Sequence, residues 1–205
     1  MIIHDVEQNS EEWLKLRSGI PTSSNAKLLI TSKGEASKSL EGYAMSLAGE
    51  KYTGAPLDDF KGNKWTERGH ELEDEALDFY SFKYGEEVQK VGFVTFDDLS
   101  VGSSPDAFSG SDGLVEIKNL KAENHIKAML YVKKNAKIPP EYIAQVQDQM
   151  LVCGKAWCDS YFHHPSLPSF KFRSAPDADL QRALLVQKIL VCERRDEIYQ
   201  TIIEI

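Results

Sequence analysis

The sequence predicts a single α/β domain, a central mixed β-sheet flanked by helices on both faces. Three observations carry this expectation. The chain has 205 residues, enough for one domain with a substantial core. Its hydrophobic pattern changes period, from helical spacing in the first third to alternation over residues 88–120 and again near the C-terminal end. Helical segments come first, strands follow, and the two then interleave and close on a helix, the order of a sheet covered on both sides.

Each element has its own signal. In "SEEWLKLRSG", Ser10 caps a short helix and Gly19 stops it. "PTSSNAKLLI" opens a second helix, with polar capping residues before Ala26, Leu28 and Leu29. Apolar positions 40, 43, 44, 47 and 48 mark a third, closed by Gly54. "APLDDFKGN" reads as a loop. "WTERGHELEDEALDFYSFKYG" is helical again, with Leu72, Ala76, Phe79 and Tyr80 on one stripe and Gly85 at its end. Strands are expected at about 88–96, 100–104 and 113–120, with "SGSDG" as the hairpin turn. Residues 122–134 and 139–153 form helices, Pro139 and Pro140 suiting the start of the second. "AWCDSYFHH" and "SFKFRSA" alternate as strands, and an amphipathic helix runs from Asp177 onward.

Composition narrows the function. No apolar run approaches the roughly 20 residues of a membrane span. The N-terminal stretch, with Asp5, Glu7, Glu11 and Glu12, lacks a signal-peptide pattern, so a cytoplasmic protein is expected. Cys153, Cys158 and Cys192 are odd in number and show no C-x-x-C spacing, as for reduced core thiols. Net charge is −8, which at first sight disfavours a polyanionic partner. The charge is uneven, however: residues 41–115 carry sixteen acids and six bases, whereas 115–155 carry seven Lys against four acids. Local potential governs binding more than net charge. A solvated lysine-rich helix face explains the same run equally well.

The chemistry centres on "SSPDAFSGSDGLVEIKNLK". In a strand, Glu116 and Lys118 share one face and Val115 and Ile117 the other. With Asp106 from a bend after Pro105, two carboxylates converge from adjacent strands. Such a pair suits Mg²⁺, which prefers oxygen ligands and keeps several waters, and the Ile117 carbonyl offers a third oxygen. Lys118 beside it could orient water or hold a phosphate oxygen, as phosphodiester hydrolysis requires. Spacing alone leaves a solvated strand face equally open.

The pattern P-D-x9-E-x-K resembles the signature of the PD-(D/E)XK nuclease superfamily. The blocks "EEWLKLRSGIPTSSNAKLL", "RGHELEDEAL" and "PPEYIAQVQDQMLVCGKAWCDSYFHH" around it resemble one branch, the phage lambda-type exonucleases of the YqaJ-like viral recombinase group. The four blocks run in the family's order from residue 11 to about 164. The resemblance implies a PD-(D/E)XK nuclease core that digests the 5′-ended strand of duplex DNA processively to mononucleotides and leaves a 3′ single-stranded tail. It also implies Mg²⁺ (Mn²⁺ as the alternative), two ions per site, a homotrimeric ring, and a single-strand annealing protein as partner.

By the same resemblance Asp106 and Glu116 are the principal metal ligands, with the Ile117 carbonyl, and Lys118 is the catalytic lysine. Glu73 matches the helix carboxylate near the metal, with Glu71, Asp74 and Glu75 as close rivals. Gln145 matches the polar residue on the neighbouring helix; Gln147 and Gln149 cannot both share its face with it. Arg17 and Ser24 match the holders of the 5′-terminal phosphate. Arg supplies a planar fork of donors, and a helix N-terminus at Ser24 would favour an anion. Ser104 is a further phosphate contact. Trp65 is either a wedge where the strands part, since aromatics stack on bases, or a core side chain. Trp13 and Trp157 read as core, and the adjacent His163 and His164 point apart. Lys118 is followed by Asn119 where many relatives continue Cys-Pro. Two other readings stay open: a restriction or repair endonuclease on the same core, and a non-catalytic DNA-end-binding subunit.

Overall fold

The computed structural model describes residues 1–57, 64–98 and 100–205, the side chains of residues 64–71 excepted. The centre is a five-stranded mixed sheet in the order β2 (Val88–Lys90), β5 (Ala107–Ser109), β6 (Gly113–Asn119), β7 (Trp157–His163), β8 (Phe170–Ser174). Only β6 and β7 run parallel, Glu116 lying beside Ser160; the other pairs are antiparallel. Parallel neighbours need a long crossover, here α4 (Ala122–Asn135) and α5 (Pro140–Cys153). Pro140 starts α5, and Gly154, in the left-handed region at φ 59°, ends it.

Both faces of β6 are covered. Leu114 packs toward Val146 and Met150 of α5, with Cys158 of β7 in the same cluster. Val115 and Ile117 pack toward Ala76, Leu77 and Tyr80 of α3 (Lys64–Tyr84). A third cluster joins α2 (Leu40–Thr53), α6 (Ala178–Ile203) and the segment around Ala26 and Leu29. The helix α1 (Glu11–Arg17) is capped by the Ser10 side chain as expected.

The structure corrects several boundaries. The run 88–96 is two strands in two sheets: β2 joins the main sheet, while β3 (Phe93–Thr95) lies between β1 (Ile2–His4) and β4 (Gly102–Ser103). Gly92 sits at the break, where a Cβ would strike the carbonyl of Val6. Neither β1 nor β5 was expected; each has three residues, too few for a readable alternation. Residues Ser23–Leu28 form a 3₁₀ helix, not an α-helix. On α3 the buried stripe is Ala76, Leu77 and Tyr80, and Phe79 is exposed. The helix α6 is not simply amphipathic: Lys188 and Arg195 point inward, while Leu185, Val186, Ile189 and Leu190 are exposed. Lys188 meets the buried Asp148 of α5 at 2.9 Å, and Arg195 donates to the Gly19 carbonyl at 2.7 Å. Among the described residues no helix is long and apolar enough to cross a membrane, and the three cysteines are free thiols.

Candidate active site

Alternation on β6 places Glu116 and Lys118 side by side, facing α5. The Lys118 Nζ donates to Glu116 Oε1 at 2.6 Å and to Gln145 Oε1 at 3.0 Å. Two carboxamides reach down from α5 to the same carboxylate. Gln145 Nε2 donates to Glu116 Oε1 at 2.7 Å and Gln149 Nε2 to Oε2 at 2.5 Å. Residues i and i+4 share a helix face, and these two do. Gln147 turns away, bonding the Ala175 carbonyl and the Asp177 N–H. The sequence reading chose Gln145 and missed Gln149; the spacing of four was the signal available.

Asp106 enters from the bend between β4 and β5. Its Oδ2 accepts the Ile117 N–H, which ties it to the strand that carries Glu116. Glu73 of α3 and Asp106 line one cleft, with Asp74, Lys90 and the N-terminal segment Asp5–Asn9. Among Glu73's rivals, Asp74 pairs with Lys90, and Glu75 turns toward His163 at 3.4 Å. The side chains of Glu71 and Trp65 lie outside the described residues.

Electrostatics distinguish the charged groups. Burial raises the Asp106 carboxyl well above its usual range, and Glu116 and then Glu73 push it further. For Lys118 burial acts downward, but the Glu116 charge and hydrogen bond, with Asp106, outweigh it and raise the ammonium. Paired with Glu116 in this way, Lys118 is held as a cation and a donor. The Tyr142 ring, 5.0 Å from its Nζ, adds a cation–π contact.

The donor set fits a hard divalent cation. Each carboxylate oxygen has two acceptor positions. On Glu116, among the described residues, Oε1 receives Lys118 and Gln145 and Oε2 receives Gln149, which leaves Oε2 one position. Among the described residues no three His, Cys, Asp or Glu side chains gather into a ready-made metal cage. Two carboxylates and the Ile117 carbonyl, completed by water, remain a set that Mg²⁺ accepts.

A second cluster lies beside the first. Arg17, at the end of α1, stacks on the Trp13 ring at 3.8 Å. Its described hydrogen-bond partners are all hydroxyls: Ser24 at 3.3 Å, Ser104 at 3.4 Å and Thr22 at 3.5 Å. These long, neutral contacts leave a stronger, anionic partner to be preferred. Burial lowers the Arg17 guanidinium to about 10, with Tyr43 and Glu50 opposing, so it stays charged at neutral pH. Ser24 sits in a six-residue 3₁₀ helix, so the helix-terminus argument for it lapses; its place is set by Arg17 instead. Trp13 Nε1 fixes the Ser104 hydroxyl at 2.9 Å. Ser104, Pro105 and Asp106 then join the two clusters through consecutive residues, a span of at most roughly 7 Å between the outer Cα atoms.

The remaining sequence assignments divide. Trp13 is core, 4% exposed, but Trp157 is half-buried beneath Arg173, whose guanidinium lies 3.5 Å from its ring. His163 stacks on Phe79, while His164 neighbours His125, so the pair points apart as alternation requires. Lys121, Lys127, Lys133, Lys134 and Lys137 are exposed around α4. Lys155 is set apart, donating to the Ser111 carbonyl.

A mixed sheet with this carboxylate–lysine pair on its parallel strand is a nuclease architecture, and solved structures agree. The chain is similar to an alkaline exonuclease, LHK-Exo, from Laribacter hongkongensis, at 29% identity and a TM-score of 0.83, covering 95% of this chain and 97% of that one. The complex of LHK-Exo with dAMP matches at a TM-score of 0.80 and 29% identity, over 94% and 96% of the two chains. A phage-related exonuclease from Haemophilus somnus 129PT, 15% identical over 89% and 96%, shares the fold at a TM-score of 0.71. The YqaJ-like viral recombinase domain model matches residues 12–156, well over half of the sequence, and the chain belongs to that family. No protein with a curated description matches the sequence.

Proposed function

We propose that the protein is a DNA exonuclease that degrades the 5′-ended strand of duplex DNA in the 5′→3′ direction, dependent on Mg²⁺. The observation that carries this reading is the juxtaposition of two clusters. The Asp106, Glu116 and Lys118 set suits phosphodiester hydrolysis, and the Arg17, Ser24 and Ser104 set suits a terminal phosphate. Family membership and full-length similarity to an alkaline exonuclease, solved also with a deoxynucleoside monophosphate, support it.

The chain's own residues then have distinct tasks. Arg17, with the Ser24 and Ser104 hydroxyls, seats the 5′ phosphate and so brings the first internucleotide phosphate to Asp106 and Glu116. Lys118 donates to a phosphate oxygen or to the attacking water, and its own charge is held by Glu116. Water adds to phosphorus, the bond to the leaving 3′ oxygen breaks, and that oxygen takes a proton. Mg²⁺ held by Asp106, Glu116 and the Ile117 carbonyl, one ion or two, would polarise the phosphoryl group and acidify its water; Mn²⁺ could replace it. Glu73 adjoins the cleft, and Gln145 bridges Lys118 and Glu116. Each cut leaves a new 5′ phosphate, which the Arg17 cluster can seat again.

The exposed lysines around α4 would follow the duplex backbone. A homotrimeric ring, delivery of the 3′ tail to a single-strand annealing protein, and action in the cytoplasm complete the proposal. The test uses linear duplex DNA with one 5′ end phosphorylated and the other bearing a hydroxyl, with and without Mg²⁺, beside closed circles and Glu116→Ala. Digestion from the phosphorylated end only, requiring Mg²⁺ and lost in the variant, is the expected result. Cutting of closed circles would instead indicate an endonuclease, and no cutting at all a DNA-end-binding subunit.

A further inference from the structure

The geometry points to Gln149 as the positioning residue that aims Glu116 at its cation, an inference that rests on the nuclease reading above. Both groups on Glu116 Oε1 have other tasks in that reading. Lys118 must turn to substrate or water, and Gln145 is shared between Lys118 and Glu116. Gln149 is different. It is 1% exposed, deep in α5 beside the apolar Met150, so it reaches neither solvent nor substrate. Its bond to Glu116 Oε2 is the one that need not be exchanged during a reaction. Oε2 is also the oxygen with an acceptor position left over, so the group that orients Oε2 orients the ligand.

The other end of Gln149 makes packing an inadequate explanation. Its Oε1 is buried and has no hydrogen-bond partner among the described residues. A buried acceptor left unpaired costs stability, and a methionine of similar length would fill the same space without that cost. The side chain is thus poorly chosen for the core and well chosen for one donation to Glu116. Without it, Glu116 can swing both oxygens onto Lys118, and the ligand and the catalytic ammonium neutralise each other. Partners of metal ligands typically change metal affinity by about 10- to 100-fold when removed.

The experiment compares wild type, Gln149→Met and Gln149→Leu in three measurements. These are the Mg²⁺ concentration giving half-maximal digestion of 5′-phosphorylated linear duplex, calorimetric binding of Mg²⁺ without DNA, and the metal-free thermal midpoint. Gln149→Met should raise the half-saturating Mg²⁺ about tenfold or more and weaken calorimetric binding by the same factor. Its thermal midpoint should not fall. Should it not fold, Gln149→Leu removes the donor with a smaller apolar side chain and should weaken binding by a similar factor. Unchanged Mg²⁺ affinity in the folded variants, with or without a lower midpoint, would overturn the inference and leave Gln149 an ordinary core residue. If the wild type digests nothing, the nuclease reading fails, while the calorimetry still decides the role of Gln149.

Discussion

Two buried carboxylates sit on adjacent rungs of the parallel β6–β7 pair and have opposite fates. Asp159 lies beside Val115 and Glu116 beside Ser160, so alternation sends one toward α3 and the other toward α5. Asp159 is held by four donors, two of them from one guanidinium: Oδ2 accepts from Tyr80 Oη at 2.6 Å, Lys171 Nζ at 2.7 Å and an Arg173 Nη at 2.8 Å, and Oδ1 from Arg173 Nε at 2.8 Å. Burial pushes its carboxyl up, but Arg173, Lys171 and Tyr80 outweigh burial and hold it below the usual range. On the other side Asp106 and Glu116 meet Lys118, with Glu73 and the Asp74–Lys90 pair in the neighbouring cleft, and Asp106 is driven the opposite way. Identical ingredients thus make a closed structural knot in one place and a charge-imbalanced centre in the other. The imbalance marks the place where an added cation is welcome.

The comparison can be broken most forcefully by Lys118→Ala or Glu116→Ala. Either should lower DNA digestion about 10³-fold or more per folded molecule, read from initial rates of nucleotide release. Next comes Asp159→Ala, which leaves two cations without their shared carboxylate. It should cost about 3 kcal/mol in urea unfolding while the rate per folded molecule stays near wild type. A comparable loss of rate would mean that the knot is part of the centre.

Arg17→Lys keeps the charge but loses the fork and the stack on Trp13. It should erode the preference for a 5′-phosphate end over a 5′-hydroxyl end by about tenfold, measured by competition between the two ends. The smallest effect concerns pH. Asp159 contributes stability above its ordinary unfolded value near 3.8, and this is lost as pH falls through its depressed folded value. Asp106, being raised, contributes stability below 3.8 that is lost as pH rises through its folded value. Asp106→Asn, with an amide oxygen still available to Ile117, should therefore raise the metal-free thermal midpoint by a few degrees at pH 8 and flatten its decline from acid to neutral pH. A lowered midpoint would remove the crowding argument.

Much of this is legible in the sequence. Glu116 and Lys118 follow from a period of two, and the helices from Ser10, Gly54, Gly85 and Pro140, all local signals. The failures share a cause: partners distant in sequence. Lys188 and Arg195 look like the wet face of α6 until Asp148 and the Gly19 carbonyl receive them. The break at Gly92 depends on the backbone of Val6, more than eighty residues away. Gln149 was passed over because three glutamines at alternate positions were weighed as rivals, although positions four apart cooperate on one helix face. Ser24 belongs with Arg17 through tertiary placement, so the helix terminus invoked for it was unnecessary.

The strut Ser104–Pro105–Asp106 has a consequence for the length of the stride. It sets Ser104, a proposed contact of the chain end, and Asp106, a proposed metal ligand, on one short piece of backbone, stiffened by proline. An exonuclease built this way carries its own ruler: the distance from end to cut is a property of covalent geometry and needs no moving part to measure it. The increment of digestion would then be set by three residues, and the fuel for advancing would be the hydrolysis of each bond itself.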